Sequence, residues 1–147
     1  MYRSMLTVLV LLPVIFAASL FTAALGNPFV CDDAANKCTY RATVTEPTKT
    51  VGGAPLTNYK QSNIKASING GTFTIAIKPA TSPNGGGTVI QDYTFATTAC
   101  AVTTLSVKAS GTNTLNTEGP ETPVATVQRD RTADPTCAPA APNLTLD

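Results

Sequence analysis

The sequence contains no histidine and no tryptophan. Without histidine, the Ser-His and Cys-His pairs of nucleophilic catalysis cannot be assembled. A metal site would also lack its commonest ligand, and no Cys-x-x-Cys pair or Asp-x-Asp-x-Asp run takes its place. Charge is sparse: ten basic and nine acidic residues give a formal net charge of +1. Clustered lysine and arginine, the footprint of a nucleic-acid or anionic-membrane binder, are absent. Gly85-Gly86-Gly87 lacks the Lys-Ser/Thr and helix that a phosphate-binding loop needs, and reads as a flexible connection. Two carboxylate pairs remain, Asp32 with Asp33 and Glu118 with Glu121; both read as solvated loop charges. No catalytic, cofactor-binding or metal-binding residue is therefore expected, and no cofactor.

One long apolar run is present. It follows Arg3, extends from Met5 to Leu25 and ends in Ala24-Leu25-Gly26. A basic start, an apolar stretch and small residues at its end make up a secretory signal peptide, here residues 1–26, with a mature chain starting near Asn27. A retained signal-anchor would need about 20 apolar residues, but Pro13 interrupts the run and only Arg3 precedes it. Lipid modification of Cys31 is disfavoured by the bulky Pro28, Phe29 and Val30 before it. The expected location is secreted or at the cell surface, extracellular or periplasmic, with membrane contact only where the leader is kept. In such an oxidising compartment Cys31, Cys38, Cys100 and Cys137 read as two disulfides. Four cysteines allow three connectivities, and the residues alone choose none.

The remaining chain, about 120 residues, suffices for one modest core. Its Thr and Val favour strands, and its Gly, Pro and Asn supply turns. Tyr40, Ala42 and Val44 alternate with Arg41, Thr43 and Thr45. Ile64, Ala66 and Ile68 form a second apolar face, closed by Asn69-Gly70-Gly71, and Phe73, Ile75 and Ile77 form the face that follows. Asn-Gly between alternating runs predicts a hairpin. Further strands are predicted over residues 88–96, with Val89, Tyr93 and Phe95 on one face, around Leu105, Val107 and Ala109, and over residues 124–128. Residues 110–123 read as a loop. No helical period occurs, so the chain is expected to be all-β and sandwich-like.

Two segments carry a family likeness. Residues 47–60, PTKTVGGAPLTNYK, resemble the loop between strands B and C of fibronectin type III modules. Leu105-Ser106-Val107-Lys108-Ala109, with Glu118-Gly119-Pro120-Glu121-Thr122 after it, is similar to their strand F and the loop to strand G. The resemblance implies an immunoglobulin-like, seven-stranded β-sandwich over residues 27–129, with Phe29-Val30 as the remnant of strand A. Val44, Ser62 and Thr103 then occupy the positions of the family's core tryptophan, a strand C aromatic and the corner tyrosine. It also implies a pairing of Cys31 with Cys38 and Cys100 with Cys137, because the A–B turn, the E–F loop and the end of strand G share one pole. Residues 130–147, rich in Pro and Ala, form an extended tail stapled back by Cys137.

The loop between F and G holds no Arg-Gly-Asp motif. Tyr59, Lys60 and Gln61 are candidates for a binding face, Tyr59 more readily for half-buried core. Asn143-Leu144-Thr145 is a possible glycosylation site on the tail. The expected function is a non-catalytic exported binding or adhesion module for a protein or glycan ligand. The alternative is a structural subunit of a surface or envelope assembly.

Overall fold

Alternating side chains become strands throughout the computed structural model, which describes residues 22–139 and contains no helix among them. The strands are β1 (Thr22–Asp32), β2 (Lys37–Thr45), β3 (Tyr59–Ile68), β4 (Thr74–Pro79), β5 (Thr88–Ala96), β6 (Val102–Asn113) and β7 (Ala125–Asp130). They pair antiparallel in two sheets, β1-β2-β5 and β4-β3-β6-β7. No helix among the described residues is long and apolar enough to cross a membrane.

Period-2 alternation puts every second side chain between the sheets. Tyr40, Ala42 and Val44 of β2 meet Ile64 and Ala66 of β3, Leu105, Val107 and Ala109 of β6, and Phe95 of β5. Each large aliphatic buried there contributes about 1.5–3 kcal/mol. Val44 and Thr103 are fully buried, and Ser62 is buried with its hydroxyl 2.8 Å from the Tyr59 hydroxyl.

The Asn69-Gly70 turn forms as expected, both residues at positive φ and Gly71 N donating to Ile68 O. The strand that follows carries Ile75 and Ile77 on one face, also as expected, and that face is turned away from the core. Ile75 and Ile77 lie opposite Lys65 and Asn63 in register, and cross-strand partners share a face. Since Ile64 and Ala66 point inward, those isoleucines point outward, 59% and 60% exposed. β4 is an edge strand, and the close approaches between the sheets are made by β1 with β6 and β7, and by β3 with β5.

Three boundaries also move. β1 is a full strand, and its Thr22–Gly26 portion, in the span read as leader, pairs with residues 41–45 of β2. The rest of the leader, residues 1–21, lies outside the described residues. Residues 110–113 belong to β6 rather than to a loop, and β7 runs to Asp130.

Two disulfides are present, Cys31–Cys38 and Cys100–Cys137, the pairing that the resemblance implies. Cys31 and Cys38 stand directly opposite in the β1–β2 register. Cys137 holds the segment after β7 against the β5–β6 turn. There Arg131, only 7% exposed, reaches Asp134 at 2.7 Å, Asn36 Oδ1 at 2.7 Å and Thr97 Oγ1 at 3.4 Å. Asp33 pairs with Arg129, whose guanidinium holds its carboxyl below the usual range. Asp32 caps the same turn by accepting from Ala35 N. The first carboxylate pair is thus committed to the β1–β2 turn, and Asp33 is ion-paired rather than simply solvated. Asn143, in residues 140–147, lies outside the described residues.

Candidate functional site: the loop pole

The β2–β3, β4–β5 and β6–β7 loops meet at the opposite pole, and the first two are locked around one carboxylate. Glu46 follows β2 with the same inward parity as Val44 and is 2% exposed. Its carboxylate accepts from Thr81 N at 2.9 Å, Gly87 N at 3.2 Å and the Thr81 hydroxyl. Its own N–H donates to Gly87 O at 2.8 Å. Tyr59 N, on the far side of the β2–β3 loop, donates to Pro83 O at 2.8 Å. Buried polar groups cost little when every one is paired in this way.

The glycine triplet beside Glu46 is a packing device and not a flexible connection. A Cβ on Gly85, at φ +64°, would stand 1.9 Å from Pro47 O, and one on Gly87 would stand 1.9 Å from Thr81 Oγ1. Gly85→Ala is expected to destabilise the fold by about 2–4 kcal/mol, combining the left-handed backbone with a clash against main chain. Gly53→Ala, also at positive φ but with open space around it, should cost about 1 kcal/mol. Equal denaturation midpoints for the two variants would remove this account of the triplet.

The β6–β7 loop folds back over the outer face of β3 and β6. Gly119 N donates to Gly111 O, and Thr122 N to Ala109 O. Glu118 and Glu121 reach Lys65 at 2.8 and 2.7 Å, Glu121 reaches Lys108 at 2.6 Å, and the Ser110 hydroxyl donates to Glu118. Asn63 Nδ2, under the loop, donates to Thr112 Oγ1 at 2.8 Å. The Lys108 ammonium also stands 4.5 Å above the Phe73 ring, a cation–π contact. These two glutamates, expected as solvated charges, are therefore bridging groups. Lys65 holds the Glu118 carboxyl below the usual glutamate range, and Lys108 together with Lys65 does the same for Glu121. Their contribution is complete above the ordinary glutamate pKa, about 4.3, and is lost as pH falls below it. A Glu118→Gln/Glu121→Gln variant should melt below the parent at pH 7, and the gap should narrow progressively as pH falls below the ordinary glutamate range. A gap that persists in acid would rule the ion pairs out as its cause.

Of the three residues proposed for a binding face, Tyr59 is core, 4% exposed, with burial raising its hydroxyl pKa. Lys60 Nζ donates to Asn116 Oδ1 at 2.6 Å, tying the tip of the β6–β7 loop to β3, and Gln61 donates to Asn63. Exposed apolar groups at the pole come instead from Val51 and Leu115, 49% and 70% exposed. Between the β2–β3 and β6–β7 loops lies a cleft of about 10 Å³. Thr50, Leu56 and Tyr59 line it together with Thr117 of the β6–β7 loop and Asn113 at the end of β6.

Sequence reasoning misses Glu46 and Asn113, although a signal for both exists. Each continues the inward parity of its strand, after Tyr40-Ala42-Val44 and after Leu105-Val107-Ala109. A polar residue at core parity beyond the last apolar one marks an inward-facing group. Among the described residues no group of three or more acidic or cysteine side chains could hold a metal. No protein-family model matches the chain, and no curated protein or solved structure matches it.

Proposed function

We propose that the protein is a non-catalytic, exported binding module that recognises a protein or glycan partner with its loop pole. The observation carrying this reading is the locking of the β2–β3 and β4–β5 loops around Glu46, with the β6–β7 loop tied to β3. Loops fixed before contact lose little entropy on binding, which favours recognition, and loops on a rigid scaffold commonly carry function. The strand orders β1-β2-β5 and β4-β3-β6-β7 are compatible with the A-B-E and C′-C-F-G sheets of the fibronectin type III family. Fold alone does not fix function. Arginine or lysine holds the carboxyls of Asp33, Asp92, Glu118 and Glu121 below their ordinary range, which disfavours these four as general acids, a role that needs a raised pKa. Val51→Ser/Leu115→Ser should abolish signals on a glycan array or with a candidate cell-surface protein while leaving the melting temperature unchanged. Undiminished binding by that variant would displace the site from the pole.

A second reading, a structural subunit of a surface assembly, is favoured by the exposed isoleucines on the β4 edge. Edge strands pair readily with other chains. Light scattering over a concentration series separates the two: concentration-dependent species that Ile75→Lys/Ile77→Lys abolishes support assembly, and a monomer throughout supports the binding module.

A further inference from the structure

Residues 22–26 occupy the edge of β2 in the structure, and they belong to the span expected to be removed on export. β1 leaves the ladder just after them: residues 27–29 stand against the single Tyr40 before pairing resumes at Val30 and Thr39. Cleavage after Gly26 would therefore take away one whole block of pairing, from Thr22 with Thr45 to Gly26 with Arg41, and leave the other. The remaining block is pinned, since the Cys31–Cys38 bond joins directly opposed residues. β2 is held from its other side as well, paired without a break to β5 from Lys37 to Thr45. What cleavage leaves is an open strand edge over residues 41–45, about 17 Å long, with alternate N–H and C=O groups lacking partners.

Open edges normally carry guards such as lysine, proline or a bulge. Residues 41–45, Arg-Ala-Thr-Val-Thr, contain no proline, and their ladder with β5 has no bulge. Their one charge is drawn to the other side of the strand, where Arg41 donates to both carboxylate oxygens of Asp92 on β5 at 2.8 and 3.0 Å. Thr43, Val44 and Thr45 are β-branched, the residues that suit strand pairing. The edge is receptive, and the segment seated on it shows what it takes. Ala23 and Leu25 stand in register with buried Val44 and Ala42, and residues 22–26 carry no charge. A second copy would bring Arg41 and the pinned remnant of β1 along with its own edge, which an extended segment of another protein does not.

We propose that, once the leader is removed, residues 41–45 of β2 dock an extended, uncharged segment of a partner protein as an added antiparallel strand, with small or aliphatic residues opposite Ala42 and Val44. Main-chain hydrogen bonds supply affinity in this mode, and alternate side chains supply selectivity. The proposal rests on the reading of residues 1–26 as a cleaved leader and is independent of the loop pole.

The test is hydrogen exchange of residues 41–45 in the exported protein, whose N-terminus is fixed by intact mass. A chain starting near Asn27 should exchange the edge-facing amides rapidly and keep those facing β5 protected. A synthetic peptide of residues 20–26, with a charged tag beyond them for solubility, should slow the edge-facing amides about tenfold or more at about 1 mM. The same peptide with Ala24→Pro/Leu25→Pro should not, because adjacent residues alternate in the ladder and one of the two prolines removes a bonding N–H. A Leu25→Asp peptide, with a charge opposite buried Ala42, should bind about tenfold more weakly or worse. Edge amides that the parent peptide leaves unchanged, or that the proline peptide slows equally, overturn the proposal. An exported chain that retains residues 22–26 also overturns it, because its edge is filled from within. Edge amides already protected in a chain starting near Asn27 overturn it too, in favour of a second copy if light scattering shows a dimer and of another segment of the same chain if it shows a monomer.

Discussion

Glu46→Ala is expected to lose about 3–5 kcal/mol of stability, since it leaves several buried neutral donors without their acceptor at about 1–3 kcal/mol each. The substitution leaves Thr81 N, Gly87 N and the Thr81 hydroxyl without their acceptor and opens a void where the β2–β3 and β4–β5 loops meet. Against a total of about 5–15 kcal/mol for a small domain, that is a large fraction. Glu46→Gln keeps the shape but turns an amide N–H₂ toward a donor, so an intermediate loss of about 2 kcal/mol is expected. Urea denaturation followed by tyrosine fluorescence measures both. An Ala variant with the parental midpoint would show that the loops hold together without the carboxylate.

Removing Cys100–Cys137 should be the second large effect, and larger than removing Cys31–Cys38. The bonds span sequence separations of 37 and 7 residues. Loop-closure entropy then assigns the longer span about 4 kcal/mol and the shorter about 2.5 kcal/mol. The longer bond also keeps Arg131 against Asp134, Asn36 and Thr97. Paired serine substitutions at each bridge, compared by thermal melting, give the order. A Cys31→Ser/Cys38→Ser variant less stable than its Cys100→Ser/Cys137→Ser counterpart would contradict it.

Strand positions were legible because they depend on a local rule, alternation with period 2. The inward residues of β2 and β6, the Asn-Gly turn and the extent of β5 all follow from it. Which face of β4 meets the core was not legible, because an edge strand takes its facing from register with β3, and register is a long-range property. Alternation put Phe73, Ile75 and Ile77 on one face without saying which way it points, and pairing with Asn63 and Lys65 turns it outward. At the loop pole, composition correctly marked loops but concealed their rigidity. Gly85 looks permissive until Pro47, 38 residues earlier, is brought against it. Glu118 and Glu121 likewise acquire their roles only when β3 and β6 lie side by side and bring Lys65 and Lys108 beneath them.

The positions of the two bridges along the chain order the steps of folding during synthesis. Cys31 and Cys38 face each other within one hairpin, so they meet by local diffusion once about forty residues have emerged. Cys137 arrives last, after every strand of both sheets has been made. Covalent closure of Cys100–Cys137 therefore reports that all seven described strands have been made, whereas Cys31–Cys38 records only that the first hairpin has formed. A chain interrupted between Cys100 and Cys137 keeps Cys100 as an unpaired thiol, a chemical mark that distinguishes it from a chain in which the bridge has closed.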